Sequence, residues 1–268
     1  MNLKNKFNRY YWLRKIYTSK LFQLFQIKNP KLKKKIFTSI YKSNHWVQNG
    51  DSLPQEFVSV SGHGSNIGTD QYKQLVNNFT NIIEKYQVNS ILDMPCGDFL
   101  WIKELVKNKD IKYLGIDIVE ELIKNNNFRF KNEKINFQSF DIVNFDTNKE
   151  FDLVLIRDLF LHIKNFDIIK IINNLKSMNI KYVALNSYNN KKNLDVTIGQ
   201  HRKVNLLIEP FNLEKPIYSF KDYEDDKFFH IYDLETLKKW DFYFKLFINK
   251  FKLVAGSGIE PLTSGLWV

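Results

Sequence analysis

The chain is poor in cysteine: Cys96 is its only one. That excludes an intramolecular disulfide and any cysteine-rich zinc site, and it fits a reducing compartment. Long apolar runs are missing too, since nothing approaches the roughly 18 uncharged apolar residues of a membrane span. Lys or Arg recurs every few positions near the N-terminus, so a secretory signal peptide is not expected. A cytoplasmic protein is the expectation. Acidic residues are absent from positions 1–50, which hold twelve Lys or Arg. Of the 40 Lys and Arg, 28 remain for positions 51–268 against 29 Asp and Glu, a balance of −1. The net charge of +11 is therefore a property of the N-terminal segment. A domain that grips nucleic acid usually spreads a basic face over its core, so nucleic acid is not the favoured partner.

What is present points to a folded domain. Aromatics make up 15% of 268 residues, which argues against general disorder and allows a sizeable core. Leu13, Ile16, Tyr17, Leu21 and Leu24 recur at helical spacing among cations, the pattern of a basic amphipathic helix. Such a helix either lies on an anionic membrane surface or caps the domain with its cations in solvent. The run Lys31–Lys35, "KLKKK", carries the same two readings. The expected organisation is a basic helical extension over 1–42, a principal domain over 43–253 and a disordered tail over 254–268.

Within the principal domain, a loop-like stretch over 43–70 contains Ser61-Gly62-His63-Gly64-Ser65. Leu75, Phe79, Ile82 and Ile83 then mark one face of a helix over 71–86. Short apolar runs follow, alternating with helical segments: strands are expected at 90–94, 111–118, 135–140, 151–156 and 181–185. Helices are expected from Phe99 to Val106, from Glu120, and between the fourth and fifth strands. "PIYSFKDY" and "FFHIYDL" read as an antiparallel hairpin at the sheet edge. This is the pattern of a doubly wound, Rossmann-like α/β fold with a mostly parallel seven-stranded sheet, an antiparallel edge hairpin and a helical N-terminal extension.

Ligands of such a sheet bind beyond the carboxyl ends of its strands. Those ends hold Asp93-Met94-Pro95-Cys96-Gly97-Asp98 after the first strand, Asp117 after the second, Asp141 after the third and Arg157-Asp158 after the fourth. Asp117 offers two acceptor oxygens, suited to a pair of ribose hydroxyls. The nicotinamide fingerprint is a poor match, because it needs three glycines and Asp98 would repel a pyrophosphate. Asp98 also reads as a helix cap, and Asp141 as a strand-end turn residue.

This ordered set resembles the class I S-adenosylmethionine-dependent methyltransferases. In that family an acidic residue precedes a Gly-x-Gly-x-Gly loop; here Asp93 and Gly97 match, while Pro95 and Phe99 take the outer glycine positions. A narrower resemblance, over roughly 36–235, is to a group of bacterial methyltransferases with "SGHGS", "LDMPCGDFLWI", "RDLFLHI" and "NLDVTIGQHRKVNL". The resemblance implies S-adenosylmethionine as cofactor. It implies Gly97 for close backbone approach, Asp117 at the ribose, Asp141 at the adenine amino group, and Asp93, Cys96 and Asp98 near the aminoacyl end. Ser61, Gly62 and Gly64 would lie in a segment folded over the cofactor.

Pro-Cys marks the nucleophile of cytosine-C5 methyltransferases after the fourth strand, but Cys96 follows the first, which speaks against that role. The Asn/Asp-Pro-Pro-aromatic signature of base-amine methylation is replaced by "RDLF". His162 is the favoured general base, with a helix histidine packed under the sheet as the alternative. Arg157 and Asp158 would orient the acceptor or pair with each other. His201 and Arg202, after Gly199, would close the acceptor side or sit in a solvated loop, and Asp195 belongs to the same segment. No metal ligand cluster is evident. The expected activity is methyl transfer to oxygen or nitrogen of a small-molecule or glycan-type acceptor. The alternatives are an RNA or protein methyltransferase recruiting through the basic arm, and an inactive cofactor-fold binding module.

Overall fold

A computed structural model describes residues 30–47, 53–222 and 226–240. The expected helix around Leu13–Leu24, the tail over 254–268 and most of the hairpin's polar turn lie outside the described residues.

Five strands run parallel: β1 (Ser90–Asp93), β2 (Lys112–Asp117), β3 (Ile135–Ser139), β4 (Phe151–Ile156) and β5 (Ile180–Tyr188). β6 (Tyr218–Lys221) and β7 (Lys227–Asp233) pair antiparallel with each other, and β7 pairs antiparallel with β5. The order β3-β2-β1-β4-β5-β7-β6 is the doubly wound, seven-stranded sheet that the alternating apolar runs predict. Strand order reverses between β1 and β4, and a crevice opens there at their carboxyl ends.

Six α-helices complete the described residues: α1 (Pro30–Lys42), α2 (Asp70–Lys85), α3 (Lys103–Asn108), α4 (Glu120–Phe130), α5 (Asn165–Ser177) and α6 (Leu234–Lys239). Thr69 starts α2 by accepting the Tyr72 N–H at 3.1 Å, and Leu75, Phe79, Ile82 and Ile83 face the sheet. β4 is buried along its whole length, which is why "FDLVLI" reads as a continuous run rather than an alternation. Its one charge, Asp152, accepts from Asn89 N at 2.8 Å and pairs with Lys181 at 2.6 Å.

Two boundaries differ from expectation. β5 continues to Tyr188 because β7 pairs along its length, with Tyr188 opposite Lys227. α3 starts at Lys103 because Phe99 adopts a left-handed φ of +63°, which no helix interior accepts. Phe99 stands where the family pattern places glycine, so a glycine-like backbone turn is kept without the glycine. Its ring is fully buried, 4.7 Å from Tyr113 and 5.1 Å from Phe137. A left-handed non-glycine residue costs about 1–2 kcal/mol, whereas removing a buried phenylalanine ring costs about 3–5 kcal/mol. Phe99→Gly is therefore expected to destabilise the protein by about 2 kcal/mol net, read from the urea midpoint. An unchanged or raised midpoint would show that backbone strain outweighs the packing.

α1 is no appendage. Phe37 joins the core beneath it, Lys34 pairs with Glu120, and Lys42 pairs with Glu121 at 3.1 Å. Gly199 lets α1 approach closely, since a Cβ there would lie 2.7 Å from Ile36. No helix among the described residues is long and apolar enough to cross a membrane.

Candidate active site

A cavity of about 380 Å³ lies over the reversal point, within the roughly 300–1,000 Å³ common for small-molecule sites. Its floor is Pro95, Cys96 and Gly97 after β1, and Asp117 to Val119 after β2. Asp141 to Val143 after β3 and Arg157 to Leu159 after β4 complete that floor. α1 and the 60–65 segment roof it.

Gly97 and Asp117 hold each other. The Gly97 N–H donates to Asp117 Oδ2 at 3.3 Å, and the Val119 N–H donates to Oδ1 at 3.0 Å. The carboxylate lines the cavity, with acceptor capacity left beyond its backbone donors. Burial raises the Asp117 pKa to about 6, only partly opposed by those backbone donors. Gly97 has φ +53°, and a Cβ there would collide with Ser61 Oγ, so only glycine lets the roof segment close. Cys96 is buried, and burial, then the neighbouring Asp117, pushes its thiol well up; it lines the cavity as a neutral wall.

The roof is tied down at both ends. Asp98 accepts from Ser59 Oγ and Val60 N, each at 2.9 Å. Arg157 donates to Ser65 Oγ at 2.6 Å and to the Gly64 carbonyl at 2.8 Å. Gly64 makes room for this, because a Cβ would lie 2.9 Å from the guanidinium. Ser61, Gly62 and Gly64 all face the cavity.

Three expected site residues do not face it. Asp93 shares its strand face with Ile91, which packs in the layer under α2 and α3, so the carboxylate points away from the cavity. Tyr113 donates to it at 2.6 Å, and burial raises its pKa to about 7. Asp98 is taken up by the roof segment and by Leu100 N at 3.2 Å. Arg202 donates to the carbonyls of Phe160 and Ile163 and to Asn165 Oδ1, so it locks the turn after β4 instead of closing the acceptor side. Asp195 likewise lies outside the cavity and accepts the first N–H of α5 from Asn165, at 2.9 Å.

His162, Asp158 and Arg157 follow β4 and line the cavity with His201, across the reversal point from Asp117 after β2. His162 Nδ1 lies 3.0 Å from the Gln200 carbonyl. A carbonyl only accepts, so Nδ1 carries the proton and Nε2 is left as the ring's acceptor. Burial lowers the His162 pKa, against opposing contributions from Gln200 and Asp158, so the ring is neutral at neutral pH. Trp46 lies against it, centroids 5.1 Å apart. Burial would raise Asp158, but Lys227 at 2.9 Å and then Arg157 at 3.7 Å outweigh it, and its pKa falls to about 2.

Lys33, Trp46, Gln71, Trp101, Tyr188 and Lys227 also line the cavity. Trp101 stands inside a quoted motif, Trp46 ends "IFTSIYKSNHW", which belongs to the same resemblance, and Lys33 lies in the "KLKKK" run; no local pattern marks Lys227. Among the described residues, no group of three or more His, Cys, Asp or Glu is arranged to hold a metal ion.

A doubly wound seven-stranded sheet with a crevice at its reversal point is a fold found among methyltransferases. Residues 91–178 match the family model described as a methyltransferase domain. The SAH complex of the N-methyltransferase NodS from Bradyrhizobium japonicum shares the fold, with a TM-score of 0.51 at 14% identity over 72% of this chain and 97% of that one. Human N-acetylserotonin methyltransferase in complex with SAM aligns at TM-score 0.46 and 12% identity, over 60% of this chain and 51% of that one. No curated protein matches the chain. The matched domain and the fold are those found among methyltransferases, and S-adenosylmethionine is the cofactor whose product, SAH, is bound in the NodS complex. The site suits that cofactor: Gly97 leaves the cradle open, Asp117 has spare acceptor capacity, and the buried Arg157 Nε has no hydrogen-bond partner.

Proposed function

We propose that the protein methylates an oxygen or nitrogen of a small-molecule or glycan-type acceptor, with His162 as general base. The neutral His162 ring, its Nδ1–H fixed on Gln200 and its Nε2 left as acceptor, carries this reading. S-Adenosylmethionine, when bound, supplies a sulfonium methyl group for in-line displacement.

Asp117 would hold the ribose hydroxyls and Asp141 the adenine amino group, while Gly97 and the Ser61–Gly64 roof exclude water above the reacting centre. His162 Nε2 takes the acceptor's proton as the new bond forms. Asp158, kept ionised by Lys227 and Arg157, accepts hydrogen bonds from the acceptor's hydroxyl or amine groups, and His201 closes that end. Trp46, Trp101 and Tyr188 supply the flat apolar surfaces that a sugar or small ring packs against. The "SGHGS", "DMPCGD" and "RDLFLHI" segments support placement in the bacterial methyltransferase group they resemble.

Three of the five described cations of the N-terminal segment are engaged within the fold, which favours a small acceptor over recruitment of a polymer, while Lys31 and Lys35 stay exposed. Lys33 is buried, and Lys34 and Lys42 are spent on Glu120 and Glu121. The test is methyl transfer from labelled S-adenosylmethionine to a panel of polyhydroxylated small molecules, amines, short glycans, RNA and protein. Label in a small molecule or glycan is the expected result. Label only in RNA or protein moves recruitment through the basic segment to first place, and cofactor binding without transfer to any class favours a binding module.

A further inference from the structure

We infer that α1 is the adenine-side wall of the cofactor site, and that its Lys33 is a positioning residue that sets Asp141 for the adenine 6-amino group. This rests on the reading of Asp141 as the carboxylate that faces that group.

Three residues of α1 line the cavity: Lys33, Phe37 and Tyr41, spaced four apart and therefore on one helix face. Lys33 is a lysine almost without solvent, 4% exposed, and such a residue is rarely buried unless paired. Its ammonium lies 3.5 Å from Asp141 Oδ2 and 3.4 Å from Asp167 Oδ2. Asp141 is otherwise held by the Val143 N–H and the Asn144 side-chain amide, each at 3.1 Å. Four acceptor sites less these three partners leave one, which the adenine 6-amino group would take.

The cation is needed because two carboxylates meet here. Asp167 is buried and feels the charge of Asp141. Without Lys33 the two carboxylates would repel, and Asp141 would turn away. That change removes an acceptor from the adenine edge. The rest of α1 holds Lys33 in place: Lys34 and Lys42 anchor it to the first turn of α4, and Ile36 and Ile40 rest on Gly199. Lys33 and the rest of α1 lie outside residues 91–178, where the methyltransferase domain is matched.

The test compares binding of S-adenosylhomocysteine with its analogue in which hydrogen replaces the adenine 6-amino group, by calorimetry on the full chain. The wild type is expected to prefer the adenine form at least tenfold. Lys33→Met should reduce that preference to within twofold, Lys33→Arg should restore most of it, and Asp167→Asn should keep it, because Lys33 then serves Asp141 alone. Lys33→Gln takes the place of Lys33→Met if the latter does not fold. Equal losses in the Lys33 and Asp167 variants would reduce the triad to packing and overturn the proposal. Full preference in Lys33→Met would also overturn it while leaving Asp141 at the adenine. No preference in the wild type would remove the Asp141 reading itself.

Discussion

The affinity for S-adenosylmethionine is expected to be flat above pH 7 and about tenfold weaker at pH 5, the Asp117 carboxyl being the group that titrates. Burial raises that carboxyl to about 6. Ribose hydroxyls donate to the ionised form, so below pH 6 each unit of acidity costs about a factor of ten in binding. The sign is fixed by the direction of the shift: a raised carboxylate loses its charge on the acid side within reach of experiment. Asp117→Ala removes the two ribose bonds and also frees the Gly97 and Val119 N–H groups from their shared acceptor. Hydrogen bonds to a charged group contribute about 1.5–3 kcal/mol, so the variant should bind about 10- to 150-fold more weakly. Calorimetry at pH 5, 6, 7 and 8 on wild type, Asp117→Ala and Asp117→Asn gives the answer. A wild-type profile independent of pH, or an Asp117→Asn variant that retains the acid limb, would assign the ribose to another group.

His162→Ala should slow methyl transfer by about 10²–10⁴-fold, the usual range for a lost general base. Cofactor affinity should stay within about twofold, since the ring follows β4, across the reversal point from Asp117 after β2. Because burial lowers the His162 pKa from its ordinary value, the wild-type rate at saturating cofactor should hold at neutral pH and fall on the acid side. That limb should vanish in the variant. Single-turnover transfer to the acceptor found in the panel measures both. A slow variant that has also lost its cofactor would instead show that His162 acts by packing against Trp46.

The sheet was legible because its signals are local. "FDLVLI" is buried on both faces, and the carboxyl-end aspartates fall one after another at strand ends, so Asp117 and Asp141 could be placed beside the cavity by spacing alone. Asp93 could not be placed that way: which face a strand-end residue takes depends on the pleat, and its side chain turned with Ile91 towards the α2 layer. Arg202 looked like an acceptor ligand because it follows His201, yet only the folded chain brings the Phe160 and Ile163 carbonyls to its guanidinium. The burial of Lys33, inside a run read as membrane-facing or solvated cations, and that of Lys227 were invisible for a related reason. A buried lysine declares itself only when its carboxylates, here 134 residues away for Asp167, arrive from elsewhere in the fold.

β7 enters the sheet against the direction of its neighbours. Its first residue, Lys227, therefore arrives at the edge where the parallel strands finish, opposite Tyr188. The consequence is evolutionary. On the proposed reading, donor recognition rests on the ends of strands 1 to 3 and on α1, whereas Lys227 brings the hairpin to the far wall. A lineage with this architecture would then be free to exchange one methyl recipient for another by changing the hairpin end and the loop after β4, while its donor half stays as it is.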